Sequence, residues 1–548
     1  MTRPPLPRGA DPSLLKSYIC RRCILNNTRN ARSRTFQTSA RQRKAQNEAD
    51  AEWQSRAQEV ASGQRKSMLT VLEERGFIKD IAGSRSSLEK LLNNKRTAAY
   101  AGIDPTAPSL HLGHLLPVMI LFWLHIHGYH AISLVGGATA KVGDPSGRLS
   151  TRTDMDTDTR ITNLTAMRSQ VGQLWQNLVP VVAKHGYIKT PTWKSDVYDN
   201  TTWLANLPII DFLAVLGRGA RMGTMMGRDT VRNKMTKGDG MSFAEFTYPL
   251  LQAWDWWHMY KTDGVQLQIG GSDQYGNIVA GMDAIKYIKS SQSEKDETDI
   301  DPMEAPYGIT TPLLTTSSGT KFGKSAGNAV WLNQNMTTPF DLYGFLLRSS
   351  DSDVKKYLCL FTFVPLPQIE QAMEQHLADP GKRVAQHLLA REVLDLVHGV
   401  GVGKATEAQH CLLRKPTFES LVSSSVTMRG NAAAPDTVGT AEETTSTPQS
   451  GINKTRLPKS LVVDTPISHI LCHAGLAPTK SAANRLIQSN GAYIGVRSEN
   501  DNGSELVFRP IRGLTTEFVN EVVQETGMLV LRVGKWKVTV VQVVNDSS

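Results

Sequence analysis

The feature that most constrains the fold is a strand, turn and helix that repeats soon after residue 97. Residues 98–101 form a short apolar strand, a turn with glycine and proline follows at 102–105, and residues 115–124 are apolar enough for a buried helix. Residues 130–135 form a second predicted strand, which runs into a glycine-rich loop over 136–147. This order is typical of an α/β fold with a doubly wound, Rossmann-like parallel sheet, whose ligands bind at the carboxyl ends of the strands.

The helix after the first turn begins with two imidazoles. Ser109 is the predicted N-cap, so His111 and His114 fall in the first helical turn, where free backbone N–H groups and the helix dipole favour anions. Gly113 lies between them and lets a ligand approach the backbone. The pattern is short and common, and a helix that starts with two solvated histidines fits it equally well.

The net charge of +10 is concentrated at the N-terminus. Residues 1–46 contain nine arginines, two lysines and a single acid, Asp11, so the remainder is formally neutral. An arginine-rich, acid-poor segment without a long apolar run predicts a mitochondrial transit peptide and a location in the mitochondrial matrix. No apolar run reaches the ~18 residues of a membrane span, so we expect no membrane contact. Any nucleic-acid surface must be a local patch.

Two later segments also carry polar residues, one on a helix face and one in the loop after a strand. Tyr248, Gln252 and Asp255 lie at i, i+4 and i+7 of a predicted helix and therefore share one face. A predicted strand over 265–270 ends in a Gly-Gly-Ser-Asp-Gln loop. Before them, a basic stretch at 217–237 predicts either a solvated face or a phosphate-contact surface.

Three motifs together resemble a class I aminoacyl-tRNA synthetase. They are His-Leu-Gly-His at 111–114, Gly-Gly-Ser-Asp-Gln at 270–274 and Lys-Phe-Gly-Lys-Ser at 321–325. Residues 100–106 and the Tyr-x-x-x-Gln-x-x-Asp pattern narrow the resemblance to the tyrosyl-tRNA synthetases of the bacterial and organellar type, here a mitochondrial and fungal form. The resemblance implies that ATP, with Mg²⁺, activates L-tyrosine to tyrosyl-adenylate, and that the tyrosyl group is transferred to tRNA(Tyr).

The resemblance also implies a role for each matching residue. The predicted tyrosine-binding residues are Tyr100, Asp144, Tyr248, Gln252, Asp255, Gln268 and Gln274. The predicted catalytic residues are Thr106, His111, His114, Lys321 and Lys324. The predicted ATP-binding residues are Asp104, Gly113, Gly271, Asp273, Lys321, Lys324 and Ser325. No metal ligand from the protein is expected, and the family implies a homodimer.

The domain organisation follows from composition and from the resemblance. We expect a transit peptide over 1–46, an N-terminal helical extension over 47–95, a Rossmann-like catalytic domain over 96–332, an α-helical anticodon-arm domain over 333–424, a flexible linker over 425–460 and a small α+β, S-four-like RNA-binding domain over 461–548.

Two alternatives stay open at this point. One is a tryptophanyl-tRNA synthetase of the same class, which the Tyr100 and Asp255 pair argues against. The other is an additional role as a group I intron splicing cofactor, since mitochondrial relatives in some filamentous fungi bind such RNA. The N-terminal extension and the linker are where a surface for intron RNA could have been added.

Overall fold

The computed structural model describes residues 40–150, 155–190, 192–292, 301–315, 324–325, 328–414, 451–497, 506–534 and 537–546. A six-stranded sheet with helices forms the first half of this part of the chain. Its strands are β1 (Asp80–Ala82), β2 (Ala98–Ile103), β3 (His130–Val135), β4 (Lys194–Asp199), β5 (Val265–Gly271) and β6 (Tyr307–Thr311).

The strand order β1-β6-β5-β2-β3-β4 confirms a doubly wound sheet. Strands β2 to β6 are parallel, and β1 joins the β6 edge in the antiparallel direction. Strand β3 lies on one side of β2, and β5 lies on the other side of β2. The carboxyl ends of β2 and β5 therefore border the crevice where such sheets bind ligands.

Helices cover the sheet and connect its strands. Those before β4 are α1 (Ala40–Ala61), α2 (Met68–Glu74), α3 (Arg85–Asn94), α4 (Leu112–Ile126) and α5 (Thr157–Ala183). Those after β4 are α6 (Thr201–Leu204), α7 (Ile209–Phe212), α8 (Met222–Met226), α9 (Asp229–Lys237), α10 (Phe243–Asp263) and α11 (Tyr275–Gln292). A π-helical turn, Leu213–Gly217, follows α7.

The N-terminal extension departs from the helical segment that we expected over 47–95. Residues 80–82 form β1, which pairs with Gly308–Thr310 and extends the catalytic sheet. The three-residue strand is too short to show a period of its own, so only pairing with β6 reveals it. Helix α1 begins at Ala40, inside the segment predicted as the transit peptide.

A helical region follows the sheet and shares its core. A two-stranded hairpin, β7 (Lys324–Ser325) and β8 (Asn328–Ala329), precedes it. Its helices are α12 (Pro339–Leu347), α13 (Asp351–Phe361), α14 (Leu366–Ala378), α15 (Val384–His398) and α16 (Val402–Arg414). Buried residues of this region, such as Tyr357 and Leu389, belong to the same apolar cluster as Leu121 of α4 and Val171 of α5. The helical region is therefore packed directly on the catalytic sheet.

The C-terminal region has its own sheet and core. Five strands in the order β11-β10-β12-β13-β9 form the sheet. They are β9 (Gly451–Pro458), β10 (Ala492–Arg497), β11 (Leu506–Pro510), β12 (Met528–Val533) and β13 (Lys537–Val544). The helices are α17 (Ile467–His473), α18 (Lys480–Gln488) and α19 (Thr516–Thr526).

The end of the linker expected over 425–460 is wrong. Residues 451–458 form β9, which pairs in parallel with all of β13. Lys454 and Arg456 lie in this edge strand, and its polar composition resembles that of a linker because one face of an edge strand can remain polar. Residues 415–450 lie outside the described residues.

No helix within the described ranges combines the length and apolar character needed to cross a bilayer.

Candidate active site

The histidine turn is built on a reciprocal cap at the start of α4. His111, and not Ser109, is the N-cap. The Nδ1 atom of His111 accepts a hydrogen bond from the Gly113 N–H at 3.1 Å, and Nδ1 of His114 accepts one from the His111 N–H at 3.2 Å. The two rings stack with centroids 3.7 Å apart. The Ser109 hydroxyl bonds elsewhere in the protein, so it does not serve as the cap.

These caps fix how the two imidazoles face a ligand. Burial lowers the pKa of His114 to about 3, so that ring is neutral at pH 7. Because Nδ1 of each ring accepts a backbone proton, a neutral ring must carry its own proton on Nε2. Both residues line one large cavity. The turn therefore presents two N–H donors to the cavity, and His114 contributes no positive charge at pH 7.

That cavity lies in the crevice at the carboxyl ends of β2 and β5 and has a volume of about 460 Å³. The structure brings together around it every predicted site residue outside the lysine motif: Tyr100, Asp104, Thr106, His111, Gly113, His114, Asp144, Tyr248, Gln252, Asp255, Gln268, Gly271, Asp273 and Gln274. Their individual roles stay predictions. Lys321 lies outside the described residues, as do the side chains of Lys324 and Ser325.

Tyr100 and Asp255 form the buried part of this site. Tyr100 lies mid-strand in β2, paired in register with Gln268 of β5, and not at the strand end that we expected. Its side chain is 1% exposed, and its hydroxyl has no hydrogen-bond partner among the described residues. Burial, with the Asp255 carboxylate nearby, raises the pKa of Tyr100 well above its usual value. A buried hydroxyl without a partner is costly, which indicates a group poised for a ligand.

The Asp255 carboxylate is oriented by two donors from the end of β4. Asn200 Nδ2 donates to Oδ2 at 2.9 Å, and Trp203 Nε1 donates to Oδ1 at 2.7 Å. These bonds favour the charged form, yet burial dominates and raises the pKa of Asp255 to about 7. The site therefore holds a carboxyl group that changes charge near neutral pH.

A second carboxylate, Asp144, lies at the end of the glycine-rich loop that follows β3. Its Oδ1 accepts from the Ser146 N–H at 2.9 Å, and its Oδ2 accepts from Gln274 Nε2 at 2.6 Å. Asn277 Nδ2 lies 3.1 Å from Oε1 of both Gln252 and Gln274. These contacts join α10, the β5 end and the loop into one polar wall that can receive an ammonium group.

Comparison with known proteins identifies the family. A family model described as tRNA synthetases class I (W and Y) matches residues 92–413, and one described as the tyrosyl-tRNA synthetase C-terminal domain matches residues 445–548. The mitochondrial tyrosine–tRNA ligase of Podospora anserina is 42% identical over 558 residues, covering 97% of this chain and 85% of the relative. This chain belongs to the tyrosyl-tRNA synthetases.

Other relatives agree with this family. The mitochondrial tyrosine–tRNA ligase of Saccharomyces cerevisiae is 39% identical over 344 residues, covering 62% of this synthetase and 68% of the relative. Among solved structures, a C-terminally truncated Aspergillus nidulans mitochondrial tyrosyl-tRNA synthetase is 45% identical with a TM-score of 0.62. It covers 66% of this chain and 98% of its own. The resemblance inferred from the motifs is thereby confirmed.

Three residues of the synthetase site were missed from the sequence. Asn200 and Trp203 orient Asp255, and Asn277 bonds the wall around Asp144. Asn200 directly follows the sixth residue of β4, and Asn277 lies in the first turn of α11. Position at an element end was the available signal. None of the three belongs to a motif that we examined.

The basic stretch before α10 is not wholly a surface. Lys234 of α9 is fully buried and forms an ion pair with Glu245, which also closes the capping box at the start of α10. Glu245 Oε2 accepts from the Ser242 N–H at 3.0 Å. Lys234 therefore anchors α10, the helix that carries Tyr248, Gln252 and Asp255.

Proposed function

We propose that this synthetase joins L-tyrosine to ATP and then to tRNA(Tyr) through the residues around the cavity. The tyrosine carboxylate attacks the α-phosphorus of ATP, which forms tyrosyl-adenylate and releases pyrophosphate. The terminal adenosine of the tRNA then attacks the adenylate carbonyl and releases AMP. No side chain acts as a nucleophile, so the protein contributes by positioning and by electrostatic stabilisation.

The observation that carries the proposal is the buried Tyr100 hydroxyl beside Asp255. A substrate phenol can accept from Tyr100 and donate to the Asp255 carboxylate, which gives a partner to a hydroxyl that has none among the described residues. Phenylalanine would give the Tyr100 hydroxyl no acceptor and would bury Asp255 without the donor that the phenol supplies. Sites that hydrogen-bond a substrate hydroxyl reject the analogue without it by roughly 10⁴–10⁵-fold, a figure established with tyrosyl-tRNA synthetases themselves.

The rest of the substrate follows from this orientation. We assign Asp144, Tyr248 and Gln252 to the ammonium group, and Gln268 and Gln274 to the ring and carboxylate. Asp104, Gly113, Gly271 and Asp273 serve the adenosine and ribose. Thr106 and the Nε2–H donors of His111 and His114 serve the phosphates, with Lys321, Lys324 and Ser325 added from the lysine motif.

Mg²⁺ enters, in this proposal, with the ATP phosphates. The described part of the chain contains no group of three acidic, histidine or cysteine side chains placed to hold a metal ion. The Asp104 carboxylate already accepts from Tyr248 and from Thr139, each at 2.7 Å. The Asp104 carboxylate is therefore engaged by protein donors.

Amino-acid-dependent ATP–pyrophosphate exchange tests the assignment. We expect exchange to depend on tyrosine in the wild type and to be lost in Asp255→Ala. Glu374→Gln, which alters an exposed acid on α14, is the matched control and should retain full activity. Exchange driven by tryptophan and not by tyrosine would overturn the substrate, and normal tyrosine use by Asp255→Ala would overturn the site.

We also propose that two copies assemble through the surface around α7, α8 and the start of α10. Phe243 is 80% exposed, and Ile209, Ile210 and Met222 are each more than 60% exposed. These elements surround a small apolar cluster that contains Phe212 and Met225. Exposed apolar residues on adjacent elements are typical of a protein interface. Phe243→Lys should yield monomers in analytical ultracentrifugation, and an unchanged dimer would exclude this surface.

The location and RNA partners complete the proposal. Residues 1–46 direct the protein to the mitochondrial matrix, and the helical and C-terminal regions contact tRNA(Tyr). A fluorescent protein fused after residue 46 should enter the matrix, and one that lacks this segment should not. The intron-splicing role stays a prediction. It would be excluded if the protein bound intron RNA no more tightly than unrelated RNA at matched salt.

A further inference from the structure

The segment that leads into the histidine turn lies between two other parts of the chain. On one side it pairs with residues 330–333. Leu112 N–H donates to Val330 O at 3.3 Å, and Leu332 N–H donates to Leu110 O at 2.8 Å. Residues 330–333 come directly after the β7–β8 hairpin of the lysine motif. On the other side lies helix α5.

Gln170 of α5 holds the second side of this segment. Its Oε1 accepts from the Leu110 N–H at 3.0 Å and lies 3.1 Å from the Ser109 Oγ, which can donate to it. Ser109 is fully buried, and its Oγ in turn accepts from the Asn333 N–H at 3.2 Å. An amide oxygen has two lone pairs, so Gln170 Oε1 can accept from both groups, although Leu110 O, at 2.8 Å, is a second acceptor within reach of the Ser109 hydroxyl. One side chain thus fixes the two residues that precede His111.

Helix α5, which carries Gln170, is held in place by polar contacts with the helical region. One to two turns beyond Gln170, Asn177 Nδ2 donates to Leu396 O at 3.0 Å in the helical region. At the end of α5, Lys184 Nζ bonds Glu392 at 2.9 Å and Asp395 at 2.7 Å. A group that must place another accurately belongs on such a rigid element.

The position of the backbone at residues 110–111 decides where both imidazoles lie. His111 is the N-cap, and its own N–H holds the ring of His114. The two rings move together because they are stacked. A displacement of about 1 Å in a group that positions a reactant can cost roughly 10²-fold in rate.

We propose that Gln170 is a positioning residue for the ATP half of the reaction. It is not among the described residues that line the cavity, so it acts through Ser109, Leu110 and the histidine turn. This inference rests on the proposed function, because it assumes that the histidines bind ATP phosphates. It assigns Gln170 no part in binding tyrosine.

Three variants test the inference. Gln170→Met keeps the length of the side chain but removes the acceptor, whereas Gln170→Glu keeps an acceptor oxygen at a half-buried position. Gln173→Met is the matched control, because this exposed amide on the same helix bonds Asn177 and not the turn. Pyrophosphate exchange is measured with ATP varied at saturating tyrosine, and then with tyrosine varied at saturating ATP.

The expected result is a split between the two substrates. Gln170→Met should lower kcat/KM for ATP by about tenfold, the usual cost of leaving buried donors unpaired, and should leave KM for tyrosine unchanged. Gln170→Glu should restore most of the loss, and Gln173→Met should behave as wild type. Ser109→Ala should lower the same constant, with an effect that does not add to that of Gln170→Met because the two residues share one bond.

Each contrary outcome overturns a distinct statement. Wild-type kcat/KM for ATP in Gln170→Met, or a raised KM for tyrosine in that variant, would overturn the positioning role. Absence of tyrosine-dependent exchange in the wild type would overturn the proposed function instead. If Gln170→Met fails to fold, Ser109→Ala and Gln170→Glu carry the test, and wild-type use of ATP by Ser109→Ala then counts against the inference.

Discussion

Asp255→Asn should remove a pH dependence of the protein's stability while impairing its activity. The carboxyl group is 2% exposed, and its pKa of about 7 lies far above that of an aspartate in an unfolded chain, about 3.9. Between these two values the folded state binds the proton more tightly than the unfolded state. The free energy of unfolding of the wild type therefore falls as the pH rises from about 4 to about 7.

The size of the effect follows from the pKa. From pH 5 to pH 7 the folded carboxyl must lose a proton that the unfolded chain has already lost, and two pH units at 1.36 kcal/mol each give about 2.7 kcal/mol. Asparagine does not ionise, so Asp255→Asn avoids this loss. Its stability relative to the wild type should increase by about 2.7 kcal/mol between pH 5 and pH 8.

Urea unfolding of both proteins at pH 5 and pH 8 measures this change, with Glu374→Gln as a control for loss of an exposed charge. Asp255→Asn should also lower kcat/KM for tyrosine by about 10- to 100-fold, the usual value of a hydrogen bond to a charged acceptor. An unfolding free-energy difference that is equal at the two pH values would refute the reasoning, because it would mean that Asp255 ionises normally.

Substitutions at three further positions give expected outcomes. Tyr100→Phe removes a buried hydroxyl that has no partner among the described residues, so it should preserve stability in urea, yet exchange assays should show a raised KM for tyrosine and weaker rejection of phenylalanine. Gly136→Ala places a methyl group 1.9 Å from Asp104 Oδ1, so it should abolish exchange. Lys234→Met leaves Glu245 buried without its cation and should cost about 3 kcal/mol in urea unfolding, whereas Lys234→Arg should cost less.

The elements of the catalytic sheet were predictable where local signals agree. Strands β2, β3 and β5 are short segments rich in apolar residues with a glycine at or next to the carboxyl end, α4 is almost continuously apolar, and α5 repeats apolar residues at helical spacing. Glycine-rich loops between them also placed the ligand crevice, because ligands of such sheets bind at the carboxyl ends of the strands.

The edge strands were not predictable in the same way. β1 has three residues, and β9 is polar enough to read as linker. Each becomes a strand only through its partner, β6 for the first and β13 for the second. Their partners lie more than 80 residues away in the sequence, where no local pattern can indicate them.

Site residues in motifs were predictable, but the residues that orient them were not. Tyr248, Gln252 and Asp255 share a helix face, which the sequence shows directly. Asn200 and Trp203 are ordinary residues after a strand, and only tertiary structure brings them against Asp255. The N-cap was misplaced at Ser109 for a related reason, since the hydroxyl is engaged by Gln170 from another helix.

The two halves of the site are joined by one hydrogen-bonded chain. Tyr248 and Thr139 both donate to Asp104, Asn200 donates to Thr139 at 3.0 Å, and the same amide nitrogen donates to Asp255. The chain runs from the carboxylate expected to meet the ribose to the one expected to meet the phenol. Apart from these two acids, every member is neutral, and polar groups connected in this way hold one another in place. A single hydrogen-bonded network therefore connects the proposed tyrosine and ATP sites.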